Sequence, residues 1–359
     1  MDTRIKRNQI KFKGKMVYIG IDMHKLSWRI TALVEGEIVL AITLAKPTYA
    51  SFRSILTQFK GSCVRIVYEA GPGGFDLYDR LTADGIECMV TPPSLIPTES
   101  GSKVKTDKKD SLKLAKLLES NMLKKVWVLS PEERAHRQLI RTRRQIVNHR
   151  SDVMRQIKSL LLFHSVAVPF PSNQQWTSPF VRWLQELDLG NEYLNQSLQA
   201  LVALFDFLSA EKKRLTREVL VLSRKAGYVP RVRLLKTIPG IGALSAMEIL
   251  VELDDIRRFQ TADELAAYLG LTPSQYSSGE HIRMGHITHA GNQWVRTTLV
   301  ESSWILIGKD PSMRRKYEEI KRRRGGKRAI VAVARILSGR IRRMLLNQVP
   351  YEIDFQKAA

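Results

Sequence analysis

Apolar and polar positions change their period twice along the chain. Between residues 16 and 90 the apolar residues come in short runs: Met16-Val-Tyr-Ile-Gly-Ile-Asp22, residues 27–34, 37–44, 64–69 and 86–90. Runs of this length, rich in valine and isoleucine and bounded by turn residues, predict strands. Glu35-Gly36 between the second and third predicts a hairpin, and helices are expected at about 50–59 and from the Gly71-Pro72-Gly73-Gly74 turn to about 83. From Lys124 the spacing becomes helical. Residues 132 to about 163 carry an apolar stripe at Leu139, Ile146, Val147, Met154, Ile157 and Leu161, and a second helical region at about 194–226 carries Leu198, Leu201, Leu204, Leu208, Leu215 and Leu220. A proline- and serine-containing stretch, 168–179, separates them. Helices this long cannot bury themselves, so they should pair as an antiparallel coiled coil or against another protomer. A third pattern opens at Leu235-Lys-Thr-Ile-Pro-Gly240-Ile-Gly242, with helices expected at 243–253 and 262–269 and a loop at 270–279. The divisions expected are 1–15, 16–125, 126–228, 229–347 and a tail, 348–359. They correspond to an arm, an α/β domain, a helical coiled-coil middle and a mainly α-helical C-terminal domain with a helix-hairpin-helix-like element.

Charge narrows the partners. Among 359 residues, 58 Lys and Arg face 35 Asp and Glu, a formal charge of +23. The expected partner is nucleic acid, with an anionic membrane surface as the other candidate. No apolar run reaches the ~20 residues of a membrane span, and the basic N-terminus lacks the apolar core of a signal peptide. A soluble, intracellular protein is therefore expected. Cys63 and Cys88 do not form a C-x-x-C pair, which argues against a disulfide framework or a structural zinc site. Residues 1–15 hold Arg4, Lys6, Arg7, Lys11, Lys13 and Lys15 against Asp2 alone and read as a mobile basic arm.

The candidate chemistry lies in the acids. Asp22 and Glu69 end two predicted strands, the sheet edge where ligands bind in open α/β folds. Neighbouring parallel strands would set them side by side, which is costly without a cation. In Lys103-Val-Lys-Thr-Asp-Lys-Lys-Asp110, Asp107 and Asp110 stand three residues apart among lysines that include Lys105, Lys108 and Lys109. A helix starting at Thr106 or Asp107 would put both acids on one face of its first turn. They could serve as ordinary N-terminal caps, or the acids could hold Mg2+ against a phosphodiester that the lysines attract. Gly20-Ile-Asp22 also resembles the phosphate-binding start of actin-like kinases. Arg141, Arg143 and Arg144 form either a solvated helix face or a phosphate-contacting one. Gly240 and Gly242 would let a backbone approach a phosphate, or make a tight turn between packed helices. Ser277 and Ser278 before Gly279 read as turn residues. His281, His286 and His289, with Arg283 and Arg296, read as a basic surface rather than a zinc site. The run from Arg314 to Arg343, with Arg322, Arg323 and Arg324, is a nonspecific footprint for nucleic-acid phosphates, expected on a loop around Gly325-Gly326.

Taken together, Tyr18-Ile-Gly-Ile-Asp22-Met-His-Lys25, Tyr68-Glu69-Ala-Gly71, Pro93-Ser-Leu-Ile-Pro97 and Lys105-Thr-Asp107-Lys-Lys-Asp110 resemble the DEDD transposases of the insertion sequence 110 family. The resemblance covers most of the chain. It implies a RuvC-like, ribonuclease-H-type N-terminal domain in which Asp22, Glu69, Asp107 and Asp110 bind Mg2+, and a coiled coil used in oligomerisation, with a dimer assembling to a tetramer. It also implies that Ser278, in its Tyr-x-Ser-Gly context, is the nucleophile, with Ser277 as a near-equivalent. A bridge RNA would pair with donor and target DNA. Two rivals stand beside this reading: a RuvC-like Holliday-junction resolvase or nuclease using water in place of serine, and a noncatalytic nucleic-acid-binding protein.

Overall fold

The structure, a computed structural model, describes residues 3–97, 107–278, 281–287 and 291–353, and the side chains of 3–7, 107–108, 275–278, 281–284 and 286 are left aside. Lys105 thus lies outside the described residues, as do the side chains of Asp107, Lys108, Ser277, Ser278, His281, Arg283 and His286. The chain forms two compact units, residues 1–128 and 129–359.

The first unit runs α1 (Thr3–Phe12), β1 (Met16–Met23), β2 (Ser27–Val34), β3 (Glu37–Ala45), α2 (Tyr49–Leu56), β4 (Cys63–Glu69), α3 (Asp76–Ala83), β5 (Glu87–Thr91) and α4 (Asp107–Glu119). All five expected strands form one mixed sheet of order β3-β2-β1-β4-β5, antiparallel through β2 and β3 and parallel through β4 and β5. Alternation sorts each strand between two layers. Ile19, Ile21, Ile30, Ile66 and Tyr68 pack with Phe52, Leu77 and Leu81 of α2 and α3 on one face. Val67 on the other face packs with Leu114 and Leu118 of α4. The basic arm is a correction: residues expected to be mobile form α1. Phe12 is buried with its ring 5.6 Å from Phe59, and Gln9 Nε2 donates to the Thr57 carbonyl at 2.7 Å. A single aromatic anchor at the helix end outweighs the charge pattern that suggested an arm.

The second unit contains α5 (Pro131–Phe163), α6 (Ser178–Glu186), α7 (Glu192–Leu222), α8 (Val229–Leu235), α9 (Ala243–Leu253), α10 (Ala262–Tyr268), β6 (Pro273–Ser278), β7 (His281–Ile287), α11 (Gln293–Lys309), α12 (Pro311–Arg324) and α13 (Gly326–Asn347). Arg143 Nε donates to Thr216 Oγ1 and Arg150 Nε to Ser209 Oγ, both at 2.8 Å, so α5 and α7 run antiparallel. The buried face of α7 is Leu198, Val202, Phe205 and Leu208, whereas Leu204 is 44% exposed. The leucine spacing finds Leu198, Leu208 and Leu215 but misses Val202 and Phe205, because α6 and its approach supply the partners there: Phe180 is in the same core, and Trp176 stacks 5.1 Å from Phe205. The helical region and the C-terminal domain, drawn apart from sequence, lie in one unit: one core lies between α5, α6 and α7, and the second, centred on Leu250, Leu265, Leu299, Val333 and Leu337, also takes in Ile140 of α5 and Val219 and Leu222 of α7. The expected loop at 270–279 contains strand β6, paired antiparallel with β7. Of the expected tail, Tyr351 is buried and its hydroxyl meets Asp310.

Asp310 also caps α12, accepting from the Ser312 amide at 2.8 Å. Burial by itself raises its carboxyl pKa, but the hydrogen bonds from Tyr351 and Ser312 outweigh it and hold the group below the usual carboxylate range. Glu252, buried at the end of α9, is likewise lowered: burial raises it, and the hydrogen bonds and charge of Arg141 win. A depressed folded pKa contributes stability above the unfolded value, lost as pH falls through the folded one. Melting of the second unit is therefore expected to drop steeply below about pH 4. Followed by circular dichroism, Asp310→Asn should lower the melting temperature at pH 7 and flatten this dependence.

Candidate active site

The sheet register builds the site row by row. Asp22 pairs with Arg29, Arg29 with Thr43, and Glu69 with Thr91. β1 and β4 are in parallel register up to Ile21 and Tyr68, so Asp22 and Glu69 are the next residues on each strand. One polar row therefore crosses the sheet as Thr43, Arg29, Asp22, Glu69 and Thr91. The preceding row, Ala41, Thr31, Gly20, Val67 and Met89, lies under α4. By the two-residue alternation of strands, Asp22 and Glu69 face the same side of the sheet as α4.

Gly20 sets how closely the helix approaches. A Cβ built there would fall inside the van der Waals envelope of the Ser111 carbonyl oxygen and 2.6 Å from the Ala115 amide nitrogen. Beside it, Thr31 Oγ1 and Ser111 Oγ share a buried hydrogen bond of 2.9 Å. Asp110 immediately precedes Ser111, and Asp22 lies two residues beyond Gly20, about 7 Å along the strand. α4 is described from Asp107 onward, so Asp107 and Asp110 lie on one helix. The turn after β4 closes the same edge: Tyr68 donates to the Gly74 carbonyl at 3.0 Å, and a Cβ on Gly73 would meet Met23 Cε at 2.7 Å. His24 Nε2 lies 3.2 Å from Asp22 Oδ2.

The donors in this row are oxygens, the set that suits Mg2+. Two buried polar atoms of the row, Arg29 Nε and Thr91 Oγ1, have no hydrogen-bond partner among the described residues and keep capacity for water or ligand. The residues present fit a hard cation in kind. Among the described residues no group of three or more His, Cys, Asp or Glu is gathered to hold a metal, and the Asp107 side chain is not among them.

The other candidates separate into engaged and exposed groups. Arg141 grips Glu252 through Nε at 2.6 Å and Nη2 at 2.8 Å. Arg144 pairs with Glu248 and stacks 4.9 Å from the Trp294 ring centre, and Arg143 holds Thr216. Gly240, at φ +90°, gives its close approach to α11, because a Cβ would stand 2.8 Å from the Ser302 carbonyl. Gly242 precedes α9 with open space around it. Lys109, Arg322, Arg323 and Arg324 are exposed. The last three end α12 rather than occupying a loop, and the connection to α13 is Gly325 alone, at φ +80°. Ser277 pairs with Ile282 and Ser278 with His281 in β6–β7, so both candidate serines lie on a strand. Arg29, Thr31, Ser111 and Thr91 carried no signal in the sequence, because only strand register and helix docking bring them to the acids.

A carboxylate-bearing edge on a mixed sheet, in one chain with a strongly basic helical unit, is the chemistry that an enzyme acting on a polyanion needs. Residues 19–165 match a DEDD transposase family, and residues 232–318 match the family described as Transposase IS116/IS110/IS902. A putative transposase of Sinorhizobium fredii, y4qE, is 32% identical over 80% of this chain and 71% of its own. The transposase for insertion sequence element IS1111A of Coxiella burnetii is 23% identical over 93% of this chain and 90% of its own. That for IS1533 of Leptospira borgpetersenii is 25% identical over 68% and 72%. The chain belongs to the IS110 family of DEDD transposases, enzymes that act on DNA. No helix among the described residues is long and apolar enough to cross a membrane.

Proposed function

We propose that the protein is the recombinase of an insertion sequence, guided by a bridge RNA, with a RuvC-like first domain whose acids work together with Ser278. The observation that carries this reading is the seating of α4 on Gly20, which supports placing the helix acids Asp107 and Asp110 beside the strand-end pair Asp22 and Glu69. These four would hold Mg2+, which supplies charge stabilisation to the phosphodiester oxygens. Lys105, Lys108 and Lys109 draw the polyanion to that edge. Arg283 and Arg322 to Arg324 bind backbone phosphates elsewhere, with the steep salt dependence of such contacts. The Ser278 hydroxyl attacks phosphorus, forming a phosphoserine ester. The P–O bond to one DNA oxygen breaks, and the serine proton passes to the leaving hydroxyl. Attack on the ester by the hydroxyl of another strand releases the serine and completes exchange without loss of bond energy. A dimer assembling to a tetramer across donor and target would supply two such sites.

Two measurements test this. Ser278→Ala is expected to abolish covalent protein–DNA adducts on denaturing gels while Ser277→Ala retains them; adducts from Ser278→Ala would overturn the assignment. When the protein is expressed with the DNA flanking its gene, sequencing of the co-purified RNA should return one discrete species from that flank, with loops complementary to the element ends and target. Heterogeneous RNA would overturn guidance.

A further inference from the structure

Glu252 is 1% exposed, and none of the steps above uses its charge. Besides the two bonds from Arg141, its carboxylate accepts from Asn292 Nδ2 at 2.8 Å. Its main-chain carbonyl accepts from the Tyr268 hydroxyl at 3.2 Å and from Arg137 Nη2 at 3.3 Å. Asn292 is the N-cap of α11, its Oδ1 accepting from the Trp294 and Val295 amides at 3.1 and 3.2 Å. Its own amide donates to the Tyr268 carbonyl at 2.7 Å. Next to it Gly291, at φ +106°, runs so close to the end of α10 that a Cβ would stand 2.6 Å from both the Gly270 nitrogen and the Tyr268 oxygen. Arg296 Nη1 adds a bond to the Leu269 carbonyl at 3.0 Å.

These contacts share a location. Residues 268–271 lead into β6, and Gly291 and Asn292 follow β7, so both legs of the hairpin that carries Ser278 are tied at one knot centred on Glu252. A buried ion pair is weak evidence of stability, since apolar groups of the same volume often serve as well. Every acceptor here is instead committed to fixing one geometry: α5 holds Glu252, Glu252 holds Asn292, and Asn292 holds the exit of the hairpin while capping the next helix.

We propose that Glu252 and Asn292 are positioning residues for strand transfer, setting the base of the β6–β7 hairpin and hence the placement of the nucleophile. The catalytic half of this proposal rests on the assignment of Ser278. A misplacement of about 1 Å at a reacting group costs on the order of 10²-fold in rate, so the knot matters without touching DNA.

The decisive variant is Asn292→Ser in the full-length protein with its co-purified RNA. Serine still caps α11 but is too short to reach Glu252. DNA binding in gel shifts should stay close to wild type and the protein should remain folded by circular dichroism, with a lower melting temperature for the lost bond to a buried carboxylate. Hydrogen exchange at the amides of residues 273–278 should quicken, and covalent adduct formation on the element's own end DNA should slow by about 10²-fold. Wild-type adduct rates in Asn292→Ser, or unchanged hairpin exchange, would overturn the proposal. Adducts formed by Ser278→Ala would overturn the serine assignment and the catalytic half with it, and the exchange measurement would still decide the hairpin half.

Discussion

Gly20→Ala is expected to abolish strand cleavage and to lower the stability of the first unit by several kcal/mol, although it adds one methyl group to a residue without catalytic atoms. The added carbon has nowhere to go. Its nearest neighbours are the Ser111 carbonyl and the Ala115 amide of α4, backbone atoms that cannot move aside as a flexible side chain would. Overpacking of an ordinary core costs about 1–3 kcal/mol, and a clash with helical backbone exceeds that. The relief available is for α4 to lift from β1 and β2. That breaks the buried Thr31–Ser111 bond and exposes Leu114 and Leu118, and in the proposed site it would carry Asp107 and Asp110 away from the strand-end acids. Urea unfolding would report the stability, and cleavage of end DNA the activity. A Gly20→Ala protein that cleaves at the wild-type rate would show that the seating of α4 does not set the site. Gly36→Ala is the matched control: it sits at φ +80° in the β2–β3 turn with no atom near its Cβ direction, so it should cost stability alone.

Replacing acids by their amides should give the opposite split. If the proposed Mg2+ site holds, Asp22→Asn and Glu69→Gln are expected to reduce cleavage and adduct formation by roughly 10³-fold or more, the several kcal/mol of charge stabilisation such an ion would contribute. Stability should be unchanged or slightly higher. Two carboxylates in adjacent register on parallel strands repel each other, and an amide of the same shape removes that repulsion. DNA binding should persist, because the exposed basic residues at the end of α12 are untouched. Full recombination by Asp22→Asn would favour a noncatalytic role for the strand-end acids.

The local pattern settled a good deal before any coordinates. Short β-branched runs and turn residues located all five strands of the first unit, because strand formation there follows from alternation and burial over a few residues. That Asp107 and Asp110 share one helix was legible for the same reason, since a three-residue spacing is a local property. Family motifs singled out Asp22, Glu69, Asp107, Asp110 and Ser278 as candidates.

What the tertiary structure decided is everything that depends on which surface meets which. Arg141 and Arg144 look like a cationic face on a helix, yet their partners, Glu252 and Glu248, lie more than a hundred residues away. Gly240 reads as an approach to phosphate, yet it makes room for α11. The charge of residues 1–15 suggested an arm, and Phe12 turned it into a docked helix. In each case the pattern states what a residue is able to do, but pairing energy is spent only once a partner is brought within reach, and the partner is chosen by the packing of the whole unit.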